Sequence, residues 1–331
     1  MRVERFLEWE ETGLDEAGWD RLVRRAQAPV PFLTWTFQTA WWRAFGRGPL
    51  HLFGVQDGAA EWVGMLPLYT AGDAPEDTLR LVGGTELADY LDLVAVAGRE
   101  EEVWKALLPV VADLPATRLD LRPVPARSPT ATLLPVLAGA SGFVCRLERE
   151  DRCPLLDLPP SWDTYLARLS GKDRHELRRK LRRADAAGPR VDVARTAAEV
   201  RAAMDGFLGL HRRSKVGKAK FMDGRMEGFF RAMASAWATA GTLALWTLWL
   251  DRRPAASVLC LEYGETVALY NSGFDPDARA LSPGVVLIAR TIEDAIARGF
   301  RRYDFLRGEE PYKYGFGAEP TDVLRLTLER S

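Results

Sequence analysis

Three cysteines and three histidines are all that this 331-residue chain contains of each. Cys145, Cys153 and Cys260 form no C-x-x-C pair, and an odd number cannot all pair within one chain, so a disulfide scaffold is excluded. With only His51, His175 and His211 besides, a zinc site is not expected, and the chain reads as metal-free. Lysine is scarce as well, supplying seven of the 45 basic residues. No apolar run approaches the roughly 18 residues of a membrane span. The opening Met1-Arg2-Val3-Glu4-Arg5 has acid where a secretory signal needs a basic cap and an apolar stretch, so a cytoplasmic protein is expected.

What the chain does contain is enough apolar material, 47% of its residues, for two cores at a typical domain length of about 150 residues. The net charge of -1 conceals an asymmetry. Residues 1–150 hold 15 Lys+Arg and 22 Asp+Glu, a balance of -7, whereas the remainder holds 30 and 24, a balance of +6. The second half is therefore the one suited to meet an anion: a phosphate-bearing ligand, RNA or an acidic lipid.

Periodicity in the first half is mixed. Helical spacing covers 14–25 and 36–45, and an apolar hairpin spans 50–69 around Asp57-Gly58. Short strands are predicted at 80–82 and 90–96, a helix at 100–112, a strand at 117–121, and a short helix reaching Gly139. Proline punctuation around Arg152-Cys153-Pro154 and Leu158-Pro159-Pro160 sets the boundary, giving domains 1–154 and 155–331.

The second half opens with a helix capped by Ser161, then a helix at 173–187, a strand at 190–195 and helices at 197–213 and 226–240. The period then switches to strand for an antiparallel meander over 242–250, 255–263 and 266–271. A helix at 283–298, a strand at 302–306 and a last strand at 321–328 complete it. The helix–strand pair 100–112 and 118–122 echoes the pair 283–298 and 302–307, which suggests a repeated unit.

Two stretches carry candidate chemistry. In Arg279-Ala280-Leu281-Ser282-Pro283-Gly284, Ser282 is a suitable N-cap, Pro283 fits the first helical turn and Gly284 permits close approach to the backbone. This is either a plain helix start or an anion site built on free N–H groups. In Tyr303-Asp304-Phe305-Leu306-Arg307-Gly308-Glu309-Glu310-Pro311-Tyr312-Lys313-Tyr314, charged groups and tyrosines leave the end of a strand together. Either they form an ion-pair network that staples a loop, or Glu309 or Asp304 takes a proton from an amine while Lys313 or Arg307 holds an anionic group.

Meander, glycine-bearing turn, helix and strand follow the order of the GNAT acetyltransferase core, whose R/Q-x-x-G-x-G/A turn cradles the pyrophosphate of acyl-CoA. Arg279-x-x-Ser282-x-Gly284 resembles that turn, with serine for the first glycine and with Pro283 removing one amide donor. The run Leu166-x-x-Leu169-Ser170-x-Lys172-x-Arg174-x-x-Leu177-Arg178-Arg179-Lys180-Leu181-Arg182-Arg183 resembles the CelD-like (cellulose-biosynthesis type) acetyltransferase family of that superfamily. So do Leu210-His211-Arg212-Arg213, Tyr270-Asn271-Ser272-Gly273-Phe274-Asp275, Ser282-Pro283-Gly284 and the run from Tyr303 to Lys313, across roughly residues 155–320. Residues 35–45, Met65-Leu66-Pro67-Leu68 and Asp89-Tyr90-Leu91-Asp92 look like the same proteins' first domain. The family is similar to FemAB-type aminoacyl transferases, which carry two GNAT-like domains.

The resemblance implies a mixed α/β fold of two tandem GNAT-like (acyl-CoA N-acyltransferase) domains, the first degenerate. It implies transfer from acyl-CoA, acetyl-CoA foremost, to an amine of a small-molecule or cell-envelope precursor. Arg279, Ser282, Gly284 and Val285 would hold the donor, and Glu309 or Asp304 would accept the amine proton. Tyr270 or Tyr312 would protonate the leaving thiolate, and His211, Arg307 and Lys313 would lie at the substrate. The basic stretch from Arg168 to Arg183 is either a solvated face or a contact for RNA, acidic lipid or the phosphates of CoA. Two other readings stand beside acyl-CoA: aminoacyl transfer from tRNA to a cell-wall precursor, and a non-catalytic scaffold that binds a partner.

Overall fold

The structure, a computed structural model, describes residues 1–71, 78–116, 118–214 and 216–330. Its contacts divide the chain into two units, Met1–Arg152 with Thr321–Ser331 and Cys153–Pro320. The last strand, expected within the second domain, thus belongs to the first unit.

In the first unit β1 (Arg2–Phe6) leads into α1 (Glu16–Arg24) and α2 (Trp35–Phe45). The Asp15 carboxylate caps α1 by accepting the Gly18 N–H at 2.7 Å. Antiparallel strands β2 (Leu50–Gln56), β3 (Trp62–Thr70) and β4 (Thr78–Leu81) follow, the first two in the expected hairpin register from Leu50↔Tyr69. A two-residue strand β5 (Val94–Ala95) pairs with β3, α3 (Glu100–Ala112) crosses over, and β6 (Arg118–Pro125) returns parallel to β4. The strand expected at 90–96 shrinks to β5 for a physical reason. The Asp92 carboxylate accepts the Leu93 N–H at 2.8 Å, the Thr130 hydroxyl at 2.6 Å and the Ser128 hydroxyl, so this run grips the start of α4 (Pro129–Leu137) instead of extending a ladder. Of the strand expected at 117–121, Thr117 lies outside the described residues.

β7 (Phe143–Asp157) enters the second unit at Cys153 and is followed by α5 (Trp162–Arg168), α6 (Gly171–Asp185) and β8 (Arg190–Ala194). Next come α7 (Ala197–Ser214), α8 (Val216–Phe221) and α9 (Gly224–Thr239). The predicted meander is β9 (Leu243–Leu250), β10 (Arg253–Tyr263) and β11 (Thr266–Phe274). A 3-10 turn, Pro276–Leu281, leads to α10 (Pro283–Ala297), β12 (Arg302–Asp304), α11 (Pro311–Tyr314) and finally β13 (Glu319–Arg330). β13 pairs antiparallel with β6.

The two units repeat one topology. Strands lie in the order β1-β2-β3-β4-β6 in the first and β8-β9-β10-β11-β12 in the second, each ending in a parallel pair joined by a helix. In the second unit α5, α6 and α10 pack on one face of the sheet around Tyr303, Phe305 and Leu287. The other face carries α7 and α9, with Met204, Phe207, Met233 and Trp237 buried. Burial of such side chains contributes about 1.5–3 kcal/mol each, which is what holds helices to both faces.

One buried charge organises the first unit. Asp120 on β6 is 1% exposed and takes two hydrogen bonds from Arg325 of β13, at 2.7 and 2.9 Å. Arg80 of β4 and Arg122 of β6 lie 3.7 and 3.4 Å from the same carboxylate. Asp120→Ala should lower the unfolding free energy by about 3–5 kcal/mol, because it leaves guanidinium groups facing one another in a half-buried place. Urea denaturation checks this, and a loss below about 1 kcal/mol would mean the network contributes little.

Candidate active site

β11 and β12 are parallel, but their pairing covers only residues 266–268 against 302–304. Beyond that point β11 continues to Phe274 while β12 ends, so the strands part toward their carboxyl ends, where open α/β sheets place their ligands. The β10 ladder slips at the same level: Leu259 faces Asn271 and Cys260 faces Leu269, which makes Tyr270 the extra residue of a bulge.

Ser282 sits where the 3-10 turn meets α10, with φ 51° and ψ 47°. This corrects the expected N-cap. A capping serine needs an extended backbone to aim its oxygen at the first turn, and the left-handed conformation aims it elsewhere. The Ser282 Oγ instead receives a hydrogen bond from Arg183 Nη2 of α6 at 3.4 Å. Pro283 has no N–H, and no earlier helical residue can reach the amides of Gly284 and Val285, so the first turn of α10 presents those two donors uncapped. A Cβ at Gly284 would meet nothing nearer than the Phe274 side chain at 3.8 Å.

Beside this turn lies a cleft of about 140 Å³ walled by Val285, by Asp173, Glu176, Leu177 and Lys180 of α6, and by Tyr312 and Phe316. Glu176 is held down at about 2 by hydrogen bonds from Arg179, with Lys180 beside it, so it stays ionised. Burial, with the Glu310 carboxylate nearby, pushes the Tyr312 hydroxyl well above the usual tyrosine range, which keeps its proton in place at neutral pH.

The segment after β12 is folded on a lysine. Lys313 is 3% exposed, and its Nζ donates to the carbonyls of Leu306 at 3.1 Å, Arg307 at 2.8 Å and Gly308 at 2.9 Å, with the Glu310 carboxylate at 3.0 Å. An ammonium has three donors, so Lys313 has none left for a substrate anion; it is a clamp on the loop. The strand expected to run to Leu306 stops at Asp304 because Leu306 turns left-handed, φ 55°. Asp304 is 2% exposed and accepts the Leu306 N–H at 2.8 Å, a turn-forming role remote from solvent. Glu309 is exposed and accepts a hydrogen bond from the Tyr314 hydroxyl at 3.1 Å.

Two sequence candidates stand on the opposite face of the sheet. Tyr270 stacks on Phe230, with ring centroids 5.7 Å apart, and meets Trp237 edge-on at 5.4 Å, both residues of α9. His211 of α7 is 1% exposed and lies between Phe207 and Phe221. The structure therefore gathers Arg279, Ser282, Gly284, Val285 and Tyr312 near one end of α10, with Glu309 and Arg307 on the adjoining loop. It adds the α6 wall of the cleft and the contact of Arg183 with Ser282, on the basic stretch that the sequence left as a solvated face or a contact for RNA, acidic lipid or the phosphates of CoA. Among the described residues no cluster of three histidine, cysteine or carboxylate side chains is placed to hold a metal, and no helix is long and apolar enough to cross a membrane.

Residues 171–314 match the family of acetyltransferase (GNAT) domains. The second unit carries a GNAT acetyltransferase domain. Its class of chemistry is N-acyl transfer. The crystal structure of FemX is similar in fold to the whole chain, with a TM-score of 0.70 at 12% identity, covering 98% of this chain and 96% of that one. A tandem GNAT protein from the clavulanic acid biosynthesis pathway aligns at a TM-score of 0.52 and 14% identity, over 99% and 98% of the two chains. The C-terminal domain of a putative lysylphosphatidylglycerol synthetase from Agrobacterium fabrum aligns at 0.58 and 12%, over 94% and 92%. No curated protein matches the chain by sequence. The mixed α/β fold with tandem GNAT-like units is thus the fold found, and the relatives with FemX-like architecture share it.

Proposed function

We propose that the second unit transfers an acyl group from acyl-CoA, acetyl-CoA foremost, to an amine, and that the chain is of the CelD-like kind within the GNAT superfamily. The observation that carries this reading is the uncapped first turn of α10 at the point where β11 and β12 part. Two amides and the positive end of a 15-residue helix suit a pyrophosphate. The thioester that acyl-CoA supplies is the electrophile. The amine nitrogen forms a bond to its carbonyl carbon as the C–S bond breaks. Glu309, the exposed carboxylate of the loop, accepts the amine proton directly or through water. Tyr312, protonated and on the cleft wall, gives its proton to the departing sulfur. Positioning supplies most of the rate in such a reaction, so removing Glu309 slows the enzyme without silencing it.

A second reading, aminoacyl transfer from tRNA, draws on the exposed Arg178, Arg182 and Arg183 of α6. Titration calorimetry with acetyl-CoA and free CoA separates the two. Gly284→Glu puts a carboxylate where the pyrophosphate would sit, with room for its Cβ, and should weaken acetyl-CoA binding at least about 100-fold at unchanged melting temperature. Unaltered affinity in this variant, or no binding by the parent protein, removes the acyl-CoA reading.

A further inference from the structure

Several arginines around α6 and α10 differ in their partners. Arg179 is paired with Glu176 at 2.8 Å, and Arg290 with Asp185 at 2.7 Å and Glu293 at 2.9 Å. Arg182 and Arg183, in the last turn of α6, and Arg279, in the 3-10 turn, are exposed and have no carboxylate within 4.0 Å among the described residues. These three are rooted around one point. Arg183 reaches the Ser282 hydroxyl, Arg182 precedes it on the helix, and the Arg279 carbonyl accepts the Ser282 N–H at 3.0 Å. α6 packs against both the 3-10 turn and α10. Arg179 and Arg290 are matched to carboxylates, whereas the three arginines rooted around Ser282 bring positive charges together unmatched, which repel unless an anion joins them.

The two amides of α10 can serve one phosphate group each, and a pyrophosphate uses both. Three guanidiniums beyond those amides are in excess of what a pyrophosphate alone requires. Their planar, forked donors suit a terminal phosphate monoester, which offers three oxygens and about two charges. We infer that Arg183, with Arg182 and Arg279, recognises the phosphate monoester on the ribose of CoA, so that the donor is free acyl-CoA and not an acyl group on a protein-bound pantetheine. The inference rests on the acyl-CoA reading of the α10 turn and adds the group by which the donor is selected. It assigns α6, which carries none of the turn motif, a part in donor choice.

The test is calorimetric titration of the full chain with CoA and with 3′-dephospho-CoA, repeated on Arg183→Gln and Arg279→Gln. The parent protein should bind CoA at least about tenfold more tightly than dephospho-CoA, since one charged hydrogen bond accounts for that much. Each variant should lose much of this preference while its affinity for dephospho-CoA stays within about twofold of the parent's. Equal affinity of the parent for the two compounds overturns the inference and leaves the acyl-CoA reading standing. Equal weakening of both compounds by Arg183→Gln also overturns it, by placing the guanidinium at the pyrophosphate. Failure of both compounds to bind the parent removes the acyl-CoA reading itself. Thermal melts of each variant confirm that these exposed substitutions leave the fold intact.

Discussion

Gly273→Val should fail to fold, or unfold with a loss above about 4 kcal/mol. A Cβ at Gly273 would lie 2.3 Å from the backbone nitrogen of His211, 2.5 Å from the carbonyl carbon of Leu210 and 2.7 Å from the His211 Cα. All three atoms are backbone, so no rotamer change relieves the contact. Relief requires α7 to lift from β11, which uncovers Met204, Phe207, Leu208 and Leu210. The close approach also accounts for the burial of His211, whose own backbone is the surface against which β11 packs. Expression followed by urea denaturation checks the claim, with Gly273→Ala as the milder step. Gly284→Ala is the control, expected within about 0.5 kcal/mol of the parent because its Cβ meets only ordinary contact. Were Gly273→Ala as stable as that control, α7 would not be seated on β11 as described.

How much of this was legible in the sequence depended on the range of the interaction. The meander β9-β10-β11 could be read because its strands are short, continuous apolar runs and its turns at Asp251-Arg252 and Gly264 are written in turn residues. The α10 start could be read too, but not its geometry. Ser-Pro signals an N-cap, and only the incoming 3-10 turn forces Ser282 into the left-handed region and frees its hydroxyl for Arg183. Leu177, Leu181 and Ala184 fall on one side of α6 and mark it as amphipathic, yet periodicity names a buried face and never the partner, which is α10. β13 is the same case on a longer scale. Its alternation marks a strand, but pairing with β6 spans about 200 residues of chain and has no local signature. Lys313 lies between these cases. The sequence left the run from Tyr303 to Tyr314 as either a network that staples a loop or a substrate site, and nothing nearby in it reveals that three carbonyls converge on the lysine.

That convergence sets the largest expected effect on turnover. Lys313→Met keeps the apolar stem and removes every donor, leaving the carbonyls of Leu306, Arg307 and Gly308 without their ammonium and Glu310 without its ion pair. The backbone they hold is itself unfavourable at Leu306, φ 55°, and it needs a glycine at Gly308, φ 106°, where a Cβ would also meet the Glu310 carboxylate at 2.6 Å. Without the clamp the segment between β12 and α11 relaxes, and Glu309 and Tyr312 leave their places together. Misplacement by about 1 Å can cost on the order of 100-fold in rate, so kcat should fall by about that factor, while the affinity for CoA, which the proposed site assigns to α10 and α6, should change by less than about threefold. Amide exchange over residues 306–314 should rise in the same variant, and global stability should fall by only about 1–3 kcal/mol because the loop can open to water. Lys313→Arg should not restore the rate: a planar fork cannot point three donors at three carbonyls that converge on one atom. If exchange over that segment and kcat are both unchanged in Lys313→Met, the loop is held by other contacts and the positions of Glu309 and Tyr312 do not depend on the lysine.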